Sequence, residues 1–177
     1  YTSVAKKGPG DWDEISLQQA GESSFVYSDF SYGTWGIHSH FTFLKISGCR
    51  FTYNDGGIRF RSGPLEVSES VFMKNRIAIR SFRGIAEISR NEITENEIGI
   101  FVRQKGAGLA IHYNNIYANE RYALRLGDFN RQEVDARHNW WNGEDLEKFI
   151  FDQADEPYIG TVLLDPVLPS RVDIIVQ

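Results

Sequence analysis

Five arginines and two phenylalanines recur along this 177-residue chain at a nearly constant interval. Arg59 and Arg80, Arg61 and Phe82, Arg80 and Phe101, and Phe82 and Arg103 are each 21 residues apart, and Arg125 follows Phe101 by 24. His38 and His40 stand 21 residues ahead of Arg59 and Arg61. A guanidinium is permanently charged and offers its N–H groups as a planar fork, so several facing one way suit carboxylates. Phe82 and Phe101 among them could stack on sugar rings or pack on a protein. The two histidines would show their imidazoles on one face of a strand, half of a copper or zinc site. Arg59 and Arg61 at the next interval repel a cation, so no metal is assigned and His38 and His40 stand only as candidates.

Catalysis at such a place asks for clustered carboxylates, or calcium-bound carboxylates with an Arg or Lys base. None of these positions is a carboxylate. Asp55 lies in a neighbouring turn and Asp128 just beyond the last arginine, each without a carboxylate partner one interval away. The single cysteine, Cys49, excludes an internal disulfide and any Cys cluster for a metal. The sequence assigns no catalytic residue and no cofactor.

The interval belongs to the whole chain. With Ile88 as position zero, ISRNEITENEIGIF carries Asn91 three residues on, Ile93 five on, Asn96 eight on, then Gly99-Ile100. The same frame starts at Phe25, Ile46, Val67, Ile88, Ile111 and, more faintly, Ala136, with spacings of 21, 21, 21, 23 and 25. Its fifth place reads Phe30, Phe51, Phe72, Ile93, Ile116, Trp141, and its third Ser28, Cys49, Ser70, Asn91, Asn114, Asn139. A further column, Ile37, Ile58, Ile79, Ile100 and Leu124, follows a small one, Gly36, Gly57, Ala78, Gly99 and Ala123.

Such a period means stacked units, each unable to bury its apolar face alone. Leucine-rich repeats need several leucines per unit, and these units carry one or two. Apolar residues fall instead at alternate places, the period of strands with one face on a core. Leu44, Leu65, Ala86, Leu109 and Val134, two before each start, supply the third inward strand. The prediction is an all-β, single-stranded parallel β-helix of about six coils over residues 1–143. Coils rise by roughly 4.8 Å, so like residues touch, and a carboxamide can donate to and accept from its copies. The small column is expected to let the chain turn tightly. The arginines then share outward columns, Arg59, Arg80 and Arg125 in one, Arg61 and Arg103 in the next. Like charges opposite one another are unfavourable, though screened. Two readings stay open: a solvated face neutralised by glutamates of adjoining turns, or a groove for an anion.

The Asn and Gly-Ile repeats, the first-coil phrase Trp12-Asp13-Glu14-Ile15, and His138-Asn139-Trp140-Trp141-Asn142 with the Gly160-Thr161-Val162 to Asp165-Pro166 run resemble one group. It is the right-handed parallel β-helix proteins of the pectate-lyase-like superfamily, especially those with the carbohydrate-binding and sugar hydrolase repeat. The resemblance covers residues 12 to 169. It implies right-handed coiling and an extracellular, cell-surface or periplasmic location. Its activities include lyases, hydrolases and epimerases, beside many members without known catalysis. The paired-Asp motifs of polygalacturonases and the Arg-rich pectate lyase signature are absent.

Residues 144–177 read as a C-terminal cap, with Leu146, Phe149 and Ile150 on one helical face and acids at its start. This tail carries eight acidic and two basic residues, whereas residues 1–143 hold 16 and 17. Without clear basic excess in the body, nucleic acid is not an expected partner. No apolar run reaches roughly 18 residues, so no membrane span is expected. Residues 1–11, polar and Gly-Pro-rich, lack both an apolar leader segment and a cover for the first coil. A protein partner or preceding coils would supply that cover. The chain is read as a mature protein, a cytosolic one or a fragment. Cys49 is expected in the core, Trp35 inward with Ile77 and Ile98, Trp141 inward, Trp140 under the cap helix, and Glu92 on the exterior. Tyr27, Tyr32, Tyr53 and Trp35 could form a sticky aromatic surface. The leading expectation is a non-catalytic scaffold or binding module, for an acidic polysaccharide or a protein. The alternatives are a polysaccharide lyase or hydrolase with its catalytic residues elsewhere, and an accessory of periplasmic metal maturation.

Overall fold

In the computed structural model, which describes residues 1–5, 7–127 and 129–175, three parallel sheets stack along one axis. The first holds Trp12–Gln18, Gly33–His40, Gly56–Arg61, Ile77–Phe82, Ile98–Val102, Tyr122–Leu126 and Ile150–Phe151. The second runs from Ser23–Val26 through Leu44–Ser47, Leu65–Ser68, Ala86–Ser89, Leu109–His112 and Val134–Asp135 to Val162–Leu163. The third comprises Asp29–Ser31, Arg50–Thr52, Val71–Met73, Glu92–Thr94 and Asn115–Tyr117. Every strand pairs with its copy one coil away, and the columns read from sequence are the pairs observed, as in Ile37 on Ile58 and Ile79 on Ile100.

The interior is built from those columns. Phe30, Phe51 and Phe72 stack nearly parallel at centroid separations of 4.6 and 4.8 Å, the rise of one coil. Ile93, Ile116 and Trp141 continue them, all buried, and Cys49 is buried at its corner, where burial pushes the thiol pKa up. Two ladders of amides line the corners. Ser70, Asn91 and Asn114 each donate a backbone N–H to the next side-chain oxygen, ending at Asn139, and the Asn91 and Asn114 amides donate to the same oxygens. Asn54, Asn75, Asn96 and Asn119 repeat this at the next corner. The residue before each ladder position has positive φ, as in Tyr53, Lys74, Arg90 and Glu95. That backbone costs a non-glycine residue about 1–2 kcal/mol, which the buried amide bonds offset.

Several expectations are corrected. The small column does not turn the chain with positive φ: a Cβ on Gly57 would stand 2.5 Å from the Ala78 carbonyl oxygen and 3.0 Å from the Phe72 ring, so close packing demands smallness. The start is covered in part. Tyr1 stacks on Phe30 at 5.0 Å, and Thr2 bridges Ser31 as a further rung of the third sheet. In the tail, the helix is one turn, Leu146–Phe149, while Ile150–Phe151 and Val162–Leu163 extend two sheets beyond the sixth coil. Trp140 lies edge-to-face on Tyr117 at 5.4 Å. Glu92 is buried, because the chain end crosses over it: its carboxylate accepts from Arg171, Tyr117 and Asn115, and Asn115 clasps both the N–H and the C=O of Val172.

Candidate functional site

The outer face of the first sheet carries the predicted columns in register. His38 pairs with Arg59, Arg59 with Arg80, Arg80 with Phe101, and Phe101 with Arg125; His40 pairs with Arg61 and Arg61 with Phe82. The strand geometry does the positioning, since alternation sends Ser39, Phe60 and Ser81 inward and their neighbours outward. His38, His40, Arg59, Arg61, Arg80, Phe82 and Arg103 line a cavity of about 250 Å³, with Phe60 beneath. Phe101 and Arg125 lie outside that lining. They continue the face towards the tail, where Arg125 stands 5.2 Å from the Phe101 ring and 5.1 Å from Phe151.

The arginines are spaced by rings. Arg61 and Arg103 flank Phe82 at 4.9 and 5.5 Å, and Arg59 and Arg80 both lie over Trp35, at 5.5 and 6.0 Å. Trp35 therefore does not share the interior. With Ile77, Ile98, Phe101 and Tyr122 it makes a second apolar cluster on the flank of the arginine face, apart from the main core. The expected aromatic surface also divides: Tyr32 stacks on Tyr53 at 5.6 Å, while Tyr27 packs over Gly48 at another corner. Neither adjoins the cavity.

Sequence reasoning missed one residue here, a carboxylate. Glu14 reaches His38 Nδ1 at 2.6 Å and Arg59 Nη2 at 3.6 Å. The register of Trp12–Gln18 shifts between Glu14 and Ile15, because Glu14 pairs with Trp35 and Ile15 with Ile37, leaving Gly36 unopposed. Glu14 stands 21 residues before Trp35, so the repeat held its signal. Setting Trp35 inward concealed it. Asp55, the turn carboxylate, is bound by Arg76 through two contacts at 2.5 and 3.0 Å, and Asp128 lies outside the described residues.

His38 is buried and fully engaged: Nδ1 faces Glu14, and Nε2 lies 2.6 Å from His40 Nε2. Arg59 Nη2 also stands 2.7 Å from Nδ1. A guanidinium only donates, and an ionised Glu14 beside it requires the Nδ1 hydrogen, so Nδ1–H donates to Glu14 and Arg59 serves the carboxylate. Burial, then the charges of His38, Arg61 and Arg59, holds the His40 pKa below its ordinary value. Both nitrogens of His38 are taken, and the described residues contain no group of three or more His, Cys, Asp or Glu able to hold a metal ion. His112 and His138 lie on another side, where Asp135 is 3.0 Å from His112. The described residues include no helix long and apolar enough to cross a membrane.

The family described as the right-handed beta helix region matches residues 35–143. The chain belongs to that family. The fold is that of a right-handed parallel β-solenoid of about six turns, consistent with the pectate-lyase-like superfamily. No curated protein and no solved structure gives a match.

Proposed function

We propose that this β-helix is a binding module whose arginine groove holds the carboxylates of an acidic polysaccharide, in a protein exported to the cell surface, periplasm or exterior. The observation that carries the reading is the cavity itself, lined by four guanidiniums and two imidazoles, while the Glu14 carboxylate outside that lining is committed to His38 and Arg59. Glu95, Glu69 and Glu97 of adjoining turns pair with Lys74, Arg90 and Arg121. Arg forks recognise carboxylates bidentately, and Phe82, held between Arg61 and Arg103, offers a ring edge to a sugar.

Calorimetry with oligogalacturonate at low salt tests the reading. Binding should weaken with ionic strength, as for partly exposed charge pairs, and fall in Arg59→Ala, Arg80→Ala and Arg103→Ala. No unsaturated or newly reducing ends should form, because no carboxylate lines the groove among the described residues. Absence of heat with any acidic glycan would leave a scaffold for a protein partner. Steady release of unsaturated product would replace the module with a lyase.

A further inference from the structure

We propose that anion binding in the arginine groove is linked to uptake of one proton by the Glu14–His38–His40 chain. This rests on the groove being an anion site, and concerns how that site is regulated. With Glu14 accepting the His38 Nδ1 hydrogen, His38 Nε2 is left with a lone pair, and His40 Nε2 stands 2.6 Å away. One hydrogen fits between these two nitrogens and two do not. The pair is therefore neutral, with His40 donating to His38, or carries a single positive charge shared along the chain and balanced at its far end by Glu14.

The groups around the pair set the sign of the coupling. Glu14 comes from the first strand, Arg59 and Arg61 from the strand on the other side, Arg80 and Arg103 from the coils beyond, and Phe41 lies edge-on to His40 at 6.4 Å. Burial, then the charges of His38, Arg61 and Arg59, oppose a further proton on His40, and Glu14 only partly offsets them. A bound carboxylate group cancels part of that field, so the pair gains a proton more readily with the ligand than without. By reciprocity the protonated groove binds the anion more tightly. Free, His40 charges below the ordinary histidine value of about 6.5; with the anion bound it charges at higher pH, so affinity rises as pH falls through this window. A uronate carboxyl, like other carboxyls near about 4, stays ionised across it.

Three readings on the intact chain test this. Oligogalacturonate should bind about fivefold or more tightly at about pH 5.5 than at about 7.5, the lower end of usual couplings. Near pH 6, calorimetry in buffers of unlike ionisation heat should report a fraction of a proton taken up per ligand. His40→Asn should flatten the slope, whereas His138→Gln, on another side of the rod, should keep it. Independently of any glycan, adding sulfate should move the His40 ring titration seen by NMR to higher pH in the unmodified protein. If sulfate moves the titration but oligogalacturonate does not bind, the glycan reading falls and the linkage stands. A binding curve without pH slope or buffer dependence, or a His40 titration indifferent to sulfate, overturns the linkage.

Discussion

The amide corners and the arginine face apply one operation to two side chains. Both copy a residue at each coil, about 4.8 Å apart, so that like meets like. At the corners the copied group carries donor and acceptor together: Asn91 accepts from Ser70 below, donates to Asn114 above and to the Val67 carbonyl, and is fully buried. On the outer face the copied group only donates. Arg59 and Arg80 cannot satisfy each other, so they lie over the Trp35 ring, while Phe82 separates Arg61 from Arg103. A repeated amide is self-complementary and stabilises the rod. A repeated guanidinium is complementary only to something else, which is the premise of the proposed anion groove.

Four changes would break or sharpen this contrast. The largest effect should follow removal of residues 144–177. Leu168 donates to the Asn139 carbonyl and Ile150, Ile159 and Val162 join the core, so truncation would bare the last coil and its strand edges. Light scattering should show end-to-end association or precipitation; a soluble monomer would deny the tail its capping role. Next comes Asn91→Leu, which strands the Ser70 N–H and takes a donor from the Val67 and Ser89 carbonyls and from Asn114 Oδ1, with each buried group left unpaired costing about 1–3 kcal/mol. Urea melts should show a loss of about 3 kcal/mol or more, whereas Glu87→Leu on an exposed rung should stay within about 0.5 kcal/mol.

Glu92→Leu falls between these. It leaves Arg171 and Tyr117 without this acceptor, removes one of two from the Asn115 amide and loosens the chain end, for a loss of about 2 kcal/mol in the same melts. A loss as small as that of Glu87→Leu would show that the crossing at Val172 contributes nothing. The smallest change in stability should be Arg80→Ala, within about 0.5 kcal/mol, since an outward residue on a rung carries little core energy. Its oligogalacturonate affinity should nevertheless drop roughly tenfold, the loss of one charge-assisted contact. Equal losses of stability and affinity would mean the arginines are structural.

Much of this was legible because a parallel solenoid converts sequence period directly into contact. Given intervals of 21 and, in the fifth unit, 23, Phe51 must meet Phe72, Arg59 must meet Arg80, and Asn91 must meet Asn114, so the sheets, the core columns and the arginine face followed from spacing alone. Direction within a bend did not follow. Strict alternation sets Trp35 inward with Ile37, yet a Cβ on Gly36 would stand 2.8 Å from the Phe51 ring, and only the packing shows that Trp35 turns out beneath the arginines. Glu14 keeps the interval of 21 to Trp35, but its contact with His38 lies across a one-residue register shift, which no period encodes.

What the sequence by itself determined, then, is every contact between a residue and its own copy: a fixed rise makes such contacts a matter of counting. What only the tertiary structure decided is each contact between unlike places in the frame. Glu14 with His38, His40 with His38 through their ring nitrogens, Tyr1 on Phe30, and Arg171 over Glu92 depend on bends, bulges and a returning chain end. Those are set by how side chains fill space around the coils, and space-filling is a property of the assembled rod rather than of any interval along it.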